Sequence, residues 1–125
     1  RASFDDPYPP EYLEMLMRFG QGIFIVAEMD GVAIGYAVAS MRERTGHVLS
    51  IAVNPKERRR GVGRSLMERM AEELRAREAS RIVLESKGGN PAIDFYLRLG
   101  FRKAGTIPGY YDDGSEAISM VLDLD

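Results

Sequence analysis

Three places in the chain carry residue types that could do chemistry together. The first is Arg58-x-x-Gly61-x-Gly63, inside the stretch Leu49–Leu66, LSIAVNPKERRRGVGRSL. Lys56, Arg58, Arg59 and Arg60 run into Gly61-Val62-Gly63 at the mouth of an amphipathic helical pattern that includes Arg64. Successive backbone N–H groups, a helix dipole and adjacent guanidinium groups suit an anion, and a diphosphate fits that description. This is not the Gly-x-x-x-x-Gly-Lys-Ser/Thr loop, because no Lys-Ser/Thr follows the last glycine; nor is it Gly-x-Gly-x-x-Gly, whose third glycine is missing. The second place is Glu85, which closes the apolar run Ile82-Val83-Leu84, where a charge needs a partner or a task. The third is Tyr110-Tyr111 in a Gly- and Pro-containing loop; consecutive strand residues face opposite ways, so core packing explains the pair poorly. His47, the single histidine, reads as a strand-end structural residue rather than a base.

The elements that must position these residues can be read in order. Pro9-Pro10 opens a helix over Glu11–Phe19, since proline is tolerated in the first turn. Ile23–Ala27 is a β-branched and aromatic strand, Asp30-Gly31 a hairpin turn, and Val32–Met41 the returning strand. A polar loop over Arg42–Gly46 leads to a strand at His47–Val53, in which Leu49, Ile51 and Val53 alternate with smaller residues. Gly63–Ala79 is the strongest helix, with Leu66, Met67, Met70, Ala71 and Leu74 as its apolar stripe and Glu73 and Arg77 as an i,i+4 pair. Arg81–Ser86 is a strand. Asn90 and Pro91 cap and open a helix that Gly100 ends. Phe101–Ile107 and Ser115–Leu122 are the last two strands. The fold class is α+β: a mixed, mostly antiparallel sheet flanked by helices.

Composition narrows the chemistry further. A chain of 125 residues is expected to be one domain, 1–125, large enough to bury its own core. The sequence contains no cysteine, which excludes disulfides, thiolate nucleophiles and cysteine-based zinc sites. One histidine leaves no multi-histidine metal site and little room for a Ser-His-Asp triad. A net charge of −2 argues against a broad nucleic-acid surface. No apolar run approaches a membrane span and no signal-peptide pattern opens the chain, so a cytoplasmic location is expected.

With these residues in view, the chain resembles the GNAT acetyltransferases. Arg58-x-x-Gly61-x-Gly63 after the strand Ser50–Val53 is similar to that family's acetyl-CoA pyrophosphate loop. Asn90-Pro-Ala-Ile-Asp-Phe-Tyr96-x-x-x-Gly100-Phe101 is similar to its second signature, Tyr-x-x-x-Gly-Phe after an Asn-led helix. Gly109-Tyr110-Tyr111-x-Asp-Gly-x-x-Ala-x-x-Met120 resembles a narrower group, the protein N-terminal α-amine acetyltransferases of the ribosomal-protein type. The three pieces follow the family's order and cover residues 23–122.

The resemblance implies a sheet whose central strands splay and a domain that lacks the family's first strand and much of its first helix. It implies acetyl-CoA as cosubstrate and no metal. Ile51, Ala52 and Val53 would bind the pantetheine arm through their backbone. Arg58, Arg59, Arg60, Gly61, Val62, Gly63 and Arg64 would hold the pyrophosphate, and a backbone amide near Val53 the oxyanion. Tyr96 matches the general acid for the departing thiolate and Glu85 the base. Tyr110 and Tyr111, with Glu11 and Tyr12 on the facing wall, would contact the incoming peptide. The spacing from Asn90 to Tyr96 is one residue shorter than in close relatives, so either Asn90 or Gly89 takes the family's asparagine position beside the pantetheine. The implied reaction is acetyl transfer to a protein N-terminal amine by direct attack in a ternary complex, since no cysteine exists to carry an acyl group. Two other readings stay open: the same chemistry on a small amine such as a polyamine, an amino acid or an aminoglycoside, and a non-catalytic acyl-CoA- or peptide-binding module.

Overall fold

The computed structural model describes residues 22–57 and 61–125. The helix expected at Glu11–Phe19, with Glu11 and Tyr12, and the three arginines Arg58, Arg59 and Arg60 lie outside those residues. The described chain runs β1 (Gly22–Met29), β2 (Val32–Arg42), β3 (Thr45–Val53), a 3-10 turn at Pro55–Glu57, α1 (Val62–Ala76), β4 (Arg81–Lys87), α2 (Ala92–Arg98), β5 (Arg102–Ile107) and β6 (Ala117–Asp123). The strands form one sheet in the order β1-β2-β3-β4-β6-β5. Every pairing is antiparallel except β3 with β4, as a mixed, mostly antiparallel sheet requires.

The β1–β2 hairpin turns at Asp30-Gly31 with both residues at positive φ, 55° and 81°. That backbone matches the twist of the flanking strands and suits this residue pair. The next connection is tighter than the sequence suggests. Thr45 and Gly46 belong to β3 rather than to a loop, and the turn is only Glu43-Arg44, with Glu43 at φ 55°.

Helix α1 lays Leu66, Met67, Met70, Ala71 and Leu74 on the sheet, all buried, as the periodicity predicts. It ends at Ala76, earlier than the expected Ala79, because Glu78 takes a left-handed conformation (φ 67°). There the N–H groups of Glu78 and Ala79 return to the carbonyls of Arg75 and Leu74, a helix stop usually taken by glycine. Arg77 therefore lies past the helix, and Glu73 pairs backwards with Arg69 at 3.5 Å instead of forward with Arg77.

Both helices pack on one face of the sheet. Ile23, Ala37, Ala39, Val48, Ile82, Leu84 and Met120 meet Leu66, Met70, Leu74, Ile93 and Tyr96 in one core. A smaller cluster on the other face joins Val38 and Leu49 with Phe24 and Tyr36. Among the described residues no helix is long and apolar enough to cross a membrane.

Candidate active site

The site is built by two strands that stop pairing. β3 and β4 are matched only at Thr45–Arg81, Gly46–Ile82 and His47–Val83. Beyond that point each is held from its outer side, β3 by β2 and β4 along its full length by β6. β3 carries a bulge where the register with β2 shifts between Val38 and Ala39, which leaves Leu49 as the extra residue. A bulge bends its strand and increases the local twist, and here it falls two residues after the last β3–β4 pair. It also splits the alternation expected of this strand: Ile51 and Val53 face the helices with Val48, whereas Leu49 is on the opposite face.

The gap is a cleft of about 260 Å³ lined by Val48–Ile51 of β3, Leu84–Lys87 of β4, Asn90, Ala92, Tyr96, Tyr110 and Tyr111. It passes through the sheet, so groups from both faces line it. Tyr96 comes from the helical side, 8 % exposed, its ring edge-on to Phe101 at 5.7 Å. Glu85 comes from the other side, since its neighbour Leu84 belongs to the helical core and strand residues alternate. The structure thus brings Glu85, Tyr96, Asn90, Ile51, Tyr110 and Tyr111 to one place. It adds two buried cleft residues that the sequence did not single out, Ser50 and Ser86.

Among the described residues Glu85 makes two side-chain contacts in the cleft wall. Its Oε1 lies 2.7 Å from His47 Nε2 and 3.3 Å from the Tyr110 hydroxyl. The phenol donates to that oxygen, and opposite an ionised carboxylate, which only accepts, the hydrogen of the imidazole contact belongs on Nε2. Glu85 retains a little exposure at 16 % and His47 more at 32 %. His47, expected to be a structural strand residue, is one whose ring contacts Glu85. That contact joins positions 38 residues apart, and the β3–β4 register produces it.

At the other end of the cleft the backbone supplies the polar groups. From Val48 onward the edge of β3 that faces β4 has no strand beside it among the described residues. Helix α1 begins after Gly61, which is left-handed (φ 78°), and no side chain caps the first turn. The amides of Val62, Gly63 and Arg64 lie in that turn, where N–H groups have no intrahelical acceptor. A β-carbon on Gly63 would sit 3.0 Å from the Phe95 ring, so glycine lets α1 and α2 close together behind this end. Helix α2 begins at Ala92 with Pro91 in the cap position, one residue later than expected. Asn90 stands just before it, its Oδ1 accepting from the Ala92 N–H at 2.9 Å, and it lines the cleft as well.

The sheet thus opens between two parallel neighbours, with an uncapped helix start at one end and a carboxylate and phenols lining the gap. The model of the acetyltransferase (GNAT) family matches residues 1–101, and the chain belongs to that family. It is 35% identical over 123 residues, 97% of this chain and 79% of the other, to an uncharacterized N-acetyltransferase of Methanocaldococcus jannaschii. It is 30% identical over 138 residues, covering 99% of this chain and 83% of the relative, to an N-alpha-acetyltransferase of Sulfurisphaera tokodaii. Among solved structures, Ard1 from Thermoplasma volcanium superposes with a TM-score of 0.85 at 28% identity, covering 96% of this chain and 82% of that one. The ribosomal-protein-S18-alanine N-acetyltransferase from Escherichia coli gives a TM-score of 0.77 at 30% identity, over 84% and 70% of the two chains.

Proposed function

We propose that this chain transfers the acetyl group of acetyl-CoA to the N-terminal α-amine of a protein. The observation that carries the reading is the pairing of Glu85 with the Tyr110 hydroxyl on the wall of a cleft that Tyr96 enters from the opposite face. The relatives named as an N-alpha-acetyltransferase and as a ribosomal-protein-S18-alanine N-acetyltransferase support it.

The residues present fit acetyl-CoA. The unpaired edge of Ile51, Ala52 and Val53 offers amides and carbonyls to an extended, amide-bearing arm, as an added strand would use them. The amides of Gly61, Val62, Gly63 and Arg64 at the α1 start face a diphosphate's charge favourably, and Arg58, Arg59 and Arg60 belong to the same reading. Asn90 would add its amide donor beside the arm. Bound acetyl-CoA supplies an acyl carbon activated as a thioester.

Glu85 then takes the proton that leaves the amine as its nitrogen bonds to that carbon, directly or through one water. Tyr96 gives its hydroxyl proton to the sulfur as the carbon–sulfur bond breaks. Glu85 then releases its proton to solvent and Tyr96 takes one back, so the products are the amide and free CoA thiol and both residues return to their starting states. An α-amine has an ordinary pKa of about 8, so most of it is protonated at physiological pH but a neutral minority, roughly a tenth to a fifth, is always present, and the demand on Glu85 is modest. Both described contacts to Glu85 fall on Oε1, and Oε2 is the atom assigned to the amine. His47 holds the carboxylate from behind. Tyr110 and Tyr111 are the peptide-contacting residues of this reading, to which the expected contacts of Glu11 and Tyr12 also belong.

The test is CoA release from acetyl-CoA with a panel of short peptides, free and N-terminally blocked, beside spermidine, free amino acids and an aminoglycoside. Turnover confined to free peptide N-termini is expected. Turnover on the small amines with none on peptides overturns the assignment, and binding of acetyl-CoA with no turnover on any acceptor leaves a binding module.

A further inference from the structure

The loop that carries Tyr110 and Tyr111 joins β5 to β6 across residues 108–116 and has no helix or strand of its own. Such a loop needs something to hold two aromatic side chains in place. Part of the answer is backbone. The Tyr111 N–H bonds to the Ser115 carbonyl at 3.2 Å, the Gly114 N–H to the Tyr111 carbonyl at 2.9 Å, and the Gly88 N–H to the Glu116 carbonyl at 3.1 Å.

A set of side-chain contacts converges on Asp113. Its Oδ1 accepts from the Ser115 N–H at 2.9 Å and from the Ser115 hydroxyl at 2.5 Å. Its Oδ2 accepts from Lys87 Nζ at 2.7 Å. Lys87 Nζ also stands 5.9 Å from the centre of the Tyr111 ring, within reach of a cation–π attraction. Tyr111 in turn packs edge-on to Tyr110 at 4.9 Å. Lys87 is the last residue of β4, two positions after Glu85 and on the same side of the strand. One short piece of β4 therefore carries both the carboxylate and the anchor of the loop whose tyrosine touches it.

We propose that Lys87 and Asp113 act as a pair of positioning residues, a clasp that sets Tyr110 and Tyr111 against Glu85 for the incoming peptide. The inference rests on the peptide reading of the cleft. The pair is about half exposed on both sides (48 % and 55 %), so it adds little to global stability. Its effect is local to the loop. The Asp113 carboxyl is held well below the usual carboxylate range by Lys87 and Ser115, so the clasp stays charged at neutral pH.

The experiment is a double-mutant cycle with Lys87→Met and Asp113→Asn, plus Lys87→Arg as the conservative variant. Asp113→Asn keeps an acceptor for Ser115 and removes only the charge facing Lys87. Each single substitution is expected to raise the peptide KM about tenfold, the scale of a lost hydrogen bond to a charged group. The acetyl-CoA KM and the melting temperature should hold, Lys87→Arg should stay near wild type, and the double variant should be no worse than either single one. Additive effects would show that Lys87 touches the peptide independently of Asp113 and would overturn the clasp, as would an unchanged peptide KM. Amide hydrogen exchange over residues 108–116 reads the same clasp without any substrate. Faster exchange confined to that loop in Lys87→Met is expected, and unchanged exchange overturns the proposal even if the acceptor proves not to be a peptide.

Discussion

Glu85 takes its partners from two separate elements: His47 from β3 at 2.7 Å and Tyr110 from the β5–β6 loop at 3.3 Å. If it accepts the amine proton, Glu85→Gln should lower kcat about a hundredfold or more, the usual scale for a positioned base. His47→Ala should cost less, about tenfold, because it loosens the carboxylate without removing it. The double variant should fall no further than Glu85→Gln alone, and steady-state CoA release measures all three. Additive losses would give His47 a separate role. Tyr96→Phe keeps the ring that packs on Phe101 and removes only the hydroxyl. It should lower kcat about a hundredfold while the acetyl-CoA KM stays within about twofold. An unaffected rate would remove Tyr96 from the chemistry.

At the scale of elements, the cleft exists because β3 is held away from β4, and glycine helps hold it there. A β-carbon on Gly35 would come within 2.9 Å of the Ala52 carbonyl oxygen, 3.2 Å of Leu66 and 3.3 Å of Val62. The nearest of these is backbone, so relief has to come from β3 or α1 shifting. Gly35→Ala should cost about 1–3 kcal/mol in urea unfolding and should also weaken acetyl-CoA binding, because β3 and the α1 start are the parts displaced. Full stability and unchanged binding would show that β3 yields without consequence. The β5–β6 loop carries a pH prediction. Asp113 has its carboxyl depressed when folded, so its contribution is complete above the ordinary carboxylate value of about 4 and is lost as pH falls from there. NMR signals of the loop should hold their positions from about pH 8 to about pH 5 and move only below about pH 4. A transition centred near neutrality would assign loop order to some other group.

At the scale of the whole molecule, the core and the cleft share Val48, Leu84 and Tyr96, while the core at the paired end of β3 lies away from the cleft lining. Leu74 is fully buried at the paired end of β3, where Gly46 leaves room for it; a β-carbon on Gly46 would be 2.6 Å from a Leu74 methyl. Leu74→Ala should lower unfolding free energy by about 2–5 kcal/mol and leave peptide and acetyl-CoA KM unchanged below the melting range. A large KM change would mean that the paired end and the splayed end are mechanically coupled.

Much of this was legible along the chain because its causes are local. The Asp30-Gly31 hairpin, the apolar stripe of α1, the Asn90-Pro91 start of α2 and the glycine turn before α1 depend on neighbours a few residues away. The motif order from Gly61 to Tyr111 was enough to name the family and to nominate Glu85, Tyr96 and the tyrosine pair. Other features depend on strands far apart in sequence. A bulge opposite Val38 and Ala39 sends Leu49 to the opposite face from Ile51 and Val53, which no alternation pattern reveals. A left-handed Glu78 shortens α1 and strips Glu73 of its expected partner. Three residue pairs of parallel sheet decide that His47 reaches Glu85 and that the next residues part to form the cleft. Residue types and spacing thus determined which groups were available for acetyl transfer. Only the tertiary pairing decided which of them meet, because contact across 38 positions is set by register and not by any property of the two residues alone.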